Sequence, residues 1–379
     1  MRVLTHHRVA RRIALVLAVA PVLIACGVIL DVADDPVSPP DRVDGGQGES
    51  AIGQESGPLD PDATAGDSGG DACATAAACS PQRLTTLSGG VIRLVVVGNS
   101  LYAAHTSSAG ERVVSLASGA PGPVLDLDPQ AQVPNLFGAS SNIAVDMNGA
   151  VYWGTANGLR RHDVGAGADA STDAGVTPFS DLGSPVSGVR IADGRLHFTV
   201  NTPTGGLNGG YIGSCALPGC TGVQSAVTVA YPLDVIASGN SRWWLGATSG
   251  ADFTVVFRTT GQILSGAQLT PSRMVTDGTH IFWSTNDNLR MFTMGGAAPV
   301  DLIAAATDGT TRVNGVAVDP AGTLFVTQQS NVLRCKLVGG QCAFTTVATT
   351  PDLATDIAAD ATHLYWGTDK GAVWRMRKP

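Results

Sequence analysis

Hydrophobic and polar positions alternate in short bursts over most of this chain. Brief apolar runs rich in Val, Ile, Leu and aromatic residues are broken by Gly, Asp, Asn and Pro. That is the pattern of strands and turns rather than of helices with a 3.6-residue face. Seven stretches line up with one another: VIRLVVVGNSLYAA (91–104), NIAVDMNGAVYWGT (142–155), GVRIADGRLHFTV (188–200), DVIASGNSRWWLGAT (234–248), RMVTDGTHIFWST (273–285), NGVAVDPAGTLFVT (314–327) and TDIAADATHLYWGT (355–368). Each has an apolar strand, a turn often opened by Asp, and a second strand centred on a bulky residue. The matched centres are Tyr102, Tyr152, His197, Trp243, Phe282, Phe325 and Tyr365, spaced 39 to 50 residues apart.

A period near 43 residues with two strands in every unit fits the four-stranded blade of a β-propeller. A third strand follows in most units (VVSLA, LRRHDV, YIGSCAL, VLRCKL), then a weaker fourth such as PVLDL or AFTTVAT. The seventh unit reaches Pro379 without a fourth strand. The missing strand is supplied at the front, where PQRLTTLSGG (81–90) matches QCAFTTVATT (341–350). The expected fold is therefore all-β: a seven-bladed β-propeller over 81–379, closed by its N-terminal strand. The units resemble degenerate NHL and YWTD-type propeller repeats; NGVAVDPAGTLFVT lies near the former, LYWGT and IFWST near the latter. That resemblance implies a fold and little about function, since propellers host many unrelated activities.

Residues 1–25 read as a targeting segment. Arg2, Arg8, Arg11 and Arg12 precede the apolar run IALVLAVAPVLIA (13–25), which suits a signal peptide better than a membrane span. The run ends in Leu23-Ile24-Ala25-Cys26, which resembles the lipobox of bacterial lipoproteins. The resemblance implies that Cys26 is lipidated, that the chain is exported and membrane-anchored through this lipid, and, with Gly27 following, that the outer membrane is its destination. Residues 26–80 are dominated by Asp, Gly, Pro and Ser and lack the apolar surface needed to fold, so they read as an acidic tether. GDSGG at 66–70 mimics a serine-protease signature. It is rejected because the only His residues before Ser68 are His6 and His7, and a tether cannot hold a base against a nucleophile.

Charge and cysteine usage narrow the function classes. Only 14% of residues are charged and the net charge is −8, which gives no basic face for nucleic acid. Beyond Cys26 six cysteines remain. SCALPGC and RCKLVGGQC each sit where a third strand turns into a fourth, which predicts Cys215–Cys220 and Cys335–Cys342 bridges; Cys73–Cys79 follows by elimination.

Candidate chemistry is sparse. Asp146, Asp193, Asp277, Asp319 and Asp360 share a column and read as turn residues that accept backbone N–H groups. Trp153, Trp244, Trp283 and Trp366 share another and read as packing between blades. His280 and His363 fall in matching turns and read as surface residues. At the start of the inner strands stand Arg93, Asn142, Val189, Asp234, Arg273, Gly315 and Asp356. The polar members of this collar, Arg93, Asn142, Asp234, Arg273 and Asp356, are the candidate binding residues at the channel mouth; the competing reading is a set of inter-strand ion pairs. No catalytic constellation, metal site or cofactor is recognised, and Glu111, the single Glu of the propeller, has no partner in sequence. The expected function is a monomeric, non-enzymatic scaffold that binds a protein, peptide or glycan. The alternative is a propeller enzyme of gluconolactonase or NHL-lyase type with a metal in its channel.

Overall fold

The computed structural model describes residues 79–379 apart from 108–109, 120, 122–123, 128–142, 147, 164–175, 202–209, 239–240, 250–251, 259–272, 286–287 and 305–311. The signal segment, Cys26, the tether with Ser68, Cys73 and Asn142 lie outside the described residues. No helix among the described residues is long and apolar enough to cross a membrane.

The chain is a β-propeller whose strands follow the sequence repeats. β1 (Gln82–Thr86) precedes the first unit, which comprises β2 (Val91–Val97), β3 (Ser100–Ser107), β4 (Gly110–Ala117) and β5 (Leu125–Asp126). The second unit is β6 (Ile143–Val145), β7 (Val151–Thr155), β8 (Gly158–His162) and β9 (Val176–Asp181). The third is β10 (Val186–Ala192), β11 (Arg195–Asn201), β12 (Gly210–Ala216) and the first half of β13 (Thr221–Ser238). The fourth is the second half of β13 with β14 (Ser241–Ser249) and β15 (Asp252–Arg258). The fifth is β16 (Arg273–Thr276), β17 (His280–Ser284), β18 (Leu289–Thr293) and β19 (Val300–Ile303). The sixth is β20 (Val313–Val318), β21 (Thr323–Gln328), β22 (Asn331–Lys336) and β23 (Thr345–Thr349). The seventh is β24 (Ala354–Ala359), β25 (His363–Thr368) and β26 (Ala372–Arg377). β1 pairs antiparallel with β26, from Gln82↔Arg375 to Thr86↔Ala372, and so completes the last sheet from the front of the chain.

The sheets number six among the described residues, not the seven separate blades expected: five have four strands and one has six. The difference arises at β13. Its first half pairs with β12 as far as Val229, and its second half pairs with β14 from Ala230 onward. The sequence VTVAYPLDVIAS offers no Gly or Asn at which to turn, and its β-branched residues favour an extended course. Pro232 falls inside the register shift between Ala230 and Asp234, outside the paired positions, where a residue without an N–H is tolerated. Third and fourth repeats are thereby fused into one sheet.

Side-chain alternation builds the core. Successive strand residues point to opposite faces, so the matched bulky column faces the following unit and the Trp column faces the preceding one. Tyr102 therefore meets Trp153 in one cluster, Trp243 meets Trp283 in another, and Phe325 meets Trp366 in a third. The four tryptophans of the column are at most 2% exposed. Leu84 and Leu94 join Ala358 and Tyr365, packing the first unit on the last.

Two disulfides stand at the predicted hairpins: Cys215–Cys220 with Cα atoms 4.7 Å apart and Cys335–Cys342 at 5.7 Å. Cys79 is also disulfide-bonded; Cys73, its expected partner, lies outside the described residues.

Candidate functional site

The inner strands decide what stands in the channel. The pairs Val95↔Tyr102, Arg190↔His197, Ile236↔Trp243, Val275↔Phe282, Ala317↔Phe325 and Ala358↔Tyr365 fix one common register. Two residues earlier stand Arg93, Gly188, Asp234, Arg273, Gly315 and Asp356. The third unit thus contributes Gly188 to the collar, not the expected Val189, which packs in the core. In five of these strands the ladder shifts register at the collar: just before Arg93, Asp234 and Asp356 (Val91/Arg93, Ala230/Asp234, Ala354/Asp356) and across Gly188 and Gly315 (Val186/Val189, Val313/Val316). Such bulges re-aim the side chain that follows them.

The structure brings Arg93, Asp234, Arg273 and Asp356 together and buries them: they are 1%, 1%, 6% and 2% exposed. They form an ionic layer inside the channel rather than an open mouth. Each Asp reaches the next inner strand. Asp356 Oδ2 accepts Leu94 N–H at 2.7 Å, and Asp234 Oδ2 accepts Met274 N–H at 3.1 Å. Two arginines reach further. Arg273 Nη1 pairs with Asp356 Oδ1 and donates to Ile357 O at 2.7 Å. Arg190, which sequence reasoning did not single out, donates to Asp234 Oδ2 at 3.2 Å and to Met274 O at 2.6 Å. Each of these arginines ends on a carbonyl two units ahead. The signal for Arg190 was available: it is the one charge in a row that otherwise reads Val95, Ala144, Ile236, Val275, Ala317 and Ala358.

Arg93 behaves differently. Its Nε and Nη2 are buried and donate to nothing among the described residues. Burial pushes its pKa well down from the usual arginine value; Arg273 and Arg190 push the same way, and Asp356 and Asp234 oppose them. Burial also lowers Arg273, with Asp356 opposing. Among the described residues the layer holds three guanidiniums against two carboxylates.

A cavity of about 330 Å³ lies against this layer, lined by Arg190 and Arg273 and by apolar residues including Val95, Ile236, Val275 and Ala358. It shares Thr276, Val318 and Ala359 with a second cavity of about 610 Å³, which extends to the turns at Asp277 and Asp319. Together they run from a polar turn face, through an apolar throat, to a cationic floor.

The turn aspartates are structural. Asp146 Oδ1 accepts the N–H groups of Asn148 and Ala150, and Asp319 Oδ1 those of Ala321 and Thr323. Asp277 and Asp360 do the same for Thr279 with His280 and for Thr362 with His363. Burial alone would raise the carboxyls of Asp277 and Asp360, but these hydrogen bonds outweigh it and hold both below the usual value. Their second oxygens bind His280 and Tyr365. Asp193 leaves the column: it sits at φ 51° in a two-residue turn with Gly194. No group of three His, Cys, Asp or Glu side chains placed to hold a metal occurs among the described residues.

No protein-family model matches the chain, and no curated protein matches it in sequence. Solved structures do. Virginiamycin B lyase from Staphylococcus aureus is 13% identical with a TM-score of 0.56, over 79% of this chain and 99% of that one. The Dos1 propeller is 12% identical with a TM-score of 0.52, over 76% of this chain and 78% of that one. The extracellular domain of the hybrid two component system BT4673 from Bacteroides thetaiotaomicron is 12% identical with a TM-score of 0.53, over 77% of this chain and 39% of that one. At such identities the likeness shows the β-propeller fold alone.

Proposed function

We propose that this chain is an exported, lipid-anchored propeller that acts as a non-catalytic binding module and takes its ligand in the channel. The observation that carries this reading is the cavity of about 330 Å³ with apolar walls over a floor of guanidiniums. Ligand sites combine an apolar lining with a few convergent polar groups in this way. The cavity's size suits a small molecule or the end of a peptide. A glycan platform needs exposed aromatic faces, and Trp153, Trp244, Trp283 and Trp366 are all buried. Export and anchoring rest on the lipobox-like run ending at Cys26. The ring is best counted as seven repeat units, two of which share β13.

The test is calorimetric titration of the purified chain with a panel of small amphipathic molecules, repeated on Val275→Trp, which fills the throat. Saturable binding lost in Val275→Trp supports the reading. Binding that the variant leaves intact refutes the channel as the site. The lyase-like alternative predicts stoichiometric metal in the purified protein, which elemental analysis reads directly.

A further inference from the structure

The channel shows its cations and hides its acids. Arg190 and Arg273 line the cavity of about 330 Å³, while their partners Asp234 and Asp356 do not. The Arg190 side chain is 22% exposed and that of Asp234 2%. The inner strands explain the difference. Each is the edge of its sheet, so alternate residues turn their backbone N–H and C=O groups into the channel. Met274 does so with both. These groups draw the acids against the backbone: Asp234 accepts from Val235 N–H at 2.8 Å and from Met274 N–H at 3.1 Å. Arg190 instead stretches along the wall from β10 to Met274 O on β16.

Each guanidinium is bonded through one corner. Arg190 donates through Nη2 to Asp234 and Met274 O. Arg273 donates through Nη1 to Asp356 and Ile357 O. Their Nε atoms are enclosed, but Arg190 Nη1 and Arg273 Nη2 are not, and neither meets an acceptor among the described residues. No Asp or Glu lines the cavity, and its other side chains are mostly apolar, Val95, Ile236, Val275 and Ala358 among them. A recess with positive walls, apolar surroundings and open N–H donors favours an anion. We infer that Arg190 and Arg273 form an oxyanion seat in the channel, with Arg190 the main contact, for a small ligand that enters anion first and leaves its apolar part in the throat. This deepens the channel-binding reading and rests on it. Guanidinium N–H groups suit a carboxylate and a sulfate or phosphate ester alike.

The experiment titrates the purified chain, at constant ionic strength, with hexanoate, hexyl sulfate, hexanol and hexylammonium, and reads binding by calorimetry. A charge-assisted hydrogen bond supplies roughly tenfold or more in affinity. At least one anion is expected to bind about tenfold tighter than hexanol, and hexylammonium more weakly than hexanol. Which anion binds better tells a carboxylate from an ester. Arg190→Met is expected to fold, since Asp234 keeps its bonds to Val235 and Met274 N–H, and to lose the preference for the anion. Arg190→Lys keeps the charge without the fork and should retain part of it. Arg195→Met removes the same charge from a side chain that bonds Ser214 and does not line the cavity, and should keep the preference whole. If hexanol or hexylammonium binds as tightly as both anions, the oxyanion seat is wrong while the channel stands. If Arg190→Met keeps the preference, or Arg195→Met loses it equally, Arg190 is not the seat. If the anions bind Val275→Trp unchanged, or if nothing binds the parent, both readings fall.

Discussion

Asp356→Asn is the sharpest perturbation of the ionic layer. The side chain is 3% exposed and accepts from Leu94 N–H and from Arg273. Asparagine keeps the shape but has one acceptor oxygen, so one donor loses its partner and the new NH₂ faces cationic N–H groups. Three guanidiniums then share one carboxylate, Asp234. Removing one partner of a buried pair costs about 3–5 kcal/mol, and the damage falls where the first unit packs on the last. Arg93→Met acts the opposite way. It removes a buried cation whose Nε and Nη2 are idle and which Arg273 and Arg190 repel, so stability is expected to hold or rise by about 1–2 kcal/mol.

The double variant completes a cycle. With Asp356 neutralised, the repulsion on Arg93 is less compensated, so Arg93→Met should recover more there than in the parent, by a coupling of about 1–2 kcal/mol. Urea denaturation at pH 7 in low-anion buffer, followed by circular dichroism, gives the midpoints. The charge account of the layer fails if Asp356→Asn costs less than about 1 kcal/mol. It fails equally if Arg93→Met destabilises as much as Asp356→Asn does.

Two further outcomes are expected. His197 is 3% exposed, and burial, with Arg242 and Arg195, pushes its pKa down to about 4. The unfolded chain, titrating near 6.5, then binds more protons between those values; its contribution is full above about pH 6.5 and falls by roughly 2–3 kcal/mol as the pH drops to about 4. Thermal denaturation of His197→Phe across pH 4–7 should show a flatter profile than the parent, and an unchanged slope would place the pH dependence elsewhere. Deleting residues 79–86 removes β1 and the burial of Leu84, 3% exposed, at a cost of roughly 2–3 kcal/mol for the side chain alone. Hydrogen exchange should then accelerate in β26, and unchanged protection at Val373 and Arg375 would mean that β1 does not hold the closing sheet.

The repeats were legible because the column from Tyr102 to Tyr365 is built of bulky residues that each unit must bury against its neighbour. The hairpin disulfides were legible because their cysteines bracket turns. The fusion of the third and fourth units was not, because a continuous β13 differs from two strands only by the lack of a Gly or Asn, and Pro232 and Asp234 within it read equally well as a turn. The third collar position was misplaced by one residue for a definite reason. Alignment on the Asp column assumes equal turns, but Asp193 and Gly194, both at positive φ, make a two-residue hairpin that advances the Asp by one. That slip hid the main feature of the channel. With Val189 in place, the column read from the third unit round to the second is Val, Asp, Arg, Gly, Asp, Arg, Asn. With Gly188 it is Gly, Asp, Arg, Gly, Asp, Arg, Asn: one three-unit phrase stated twice, and one unit over. In the first phrase each group meets its partner in the unit or units ahead, Arg273 passing over Gly315 to Asp356. In the second, Arg93 runs into the extra unit and then Gly188, with no acid in reach of the pattern. Seven sequence repeats do not hold a whole number of three-unit phrases, and the remainder is the buried Arg93, whose Nε and Nη2 have no hydrogen-bond partner among the described residues.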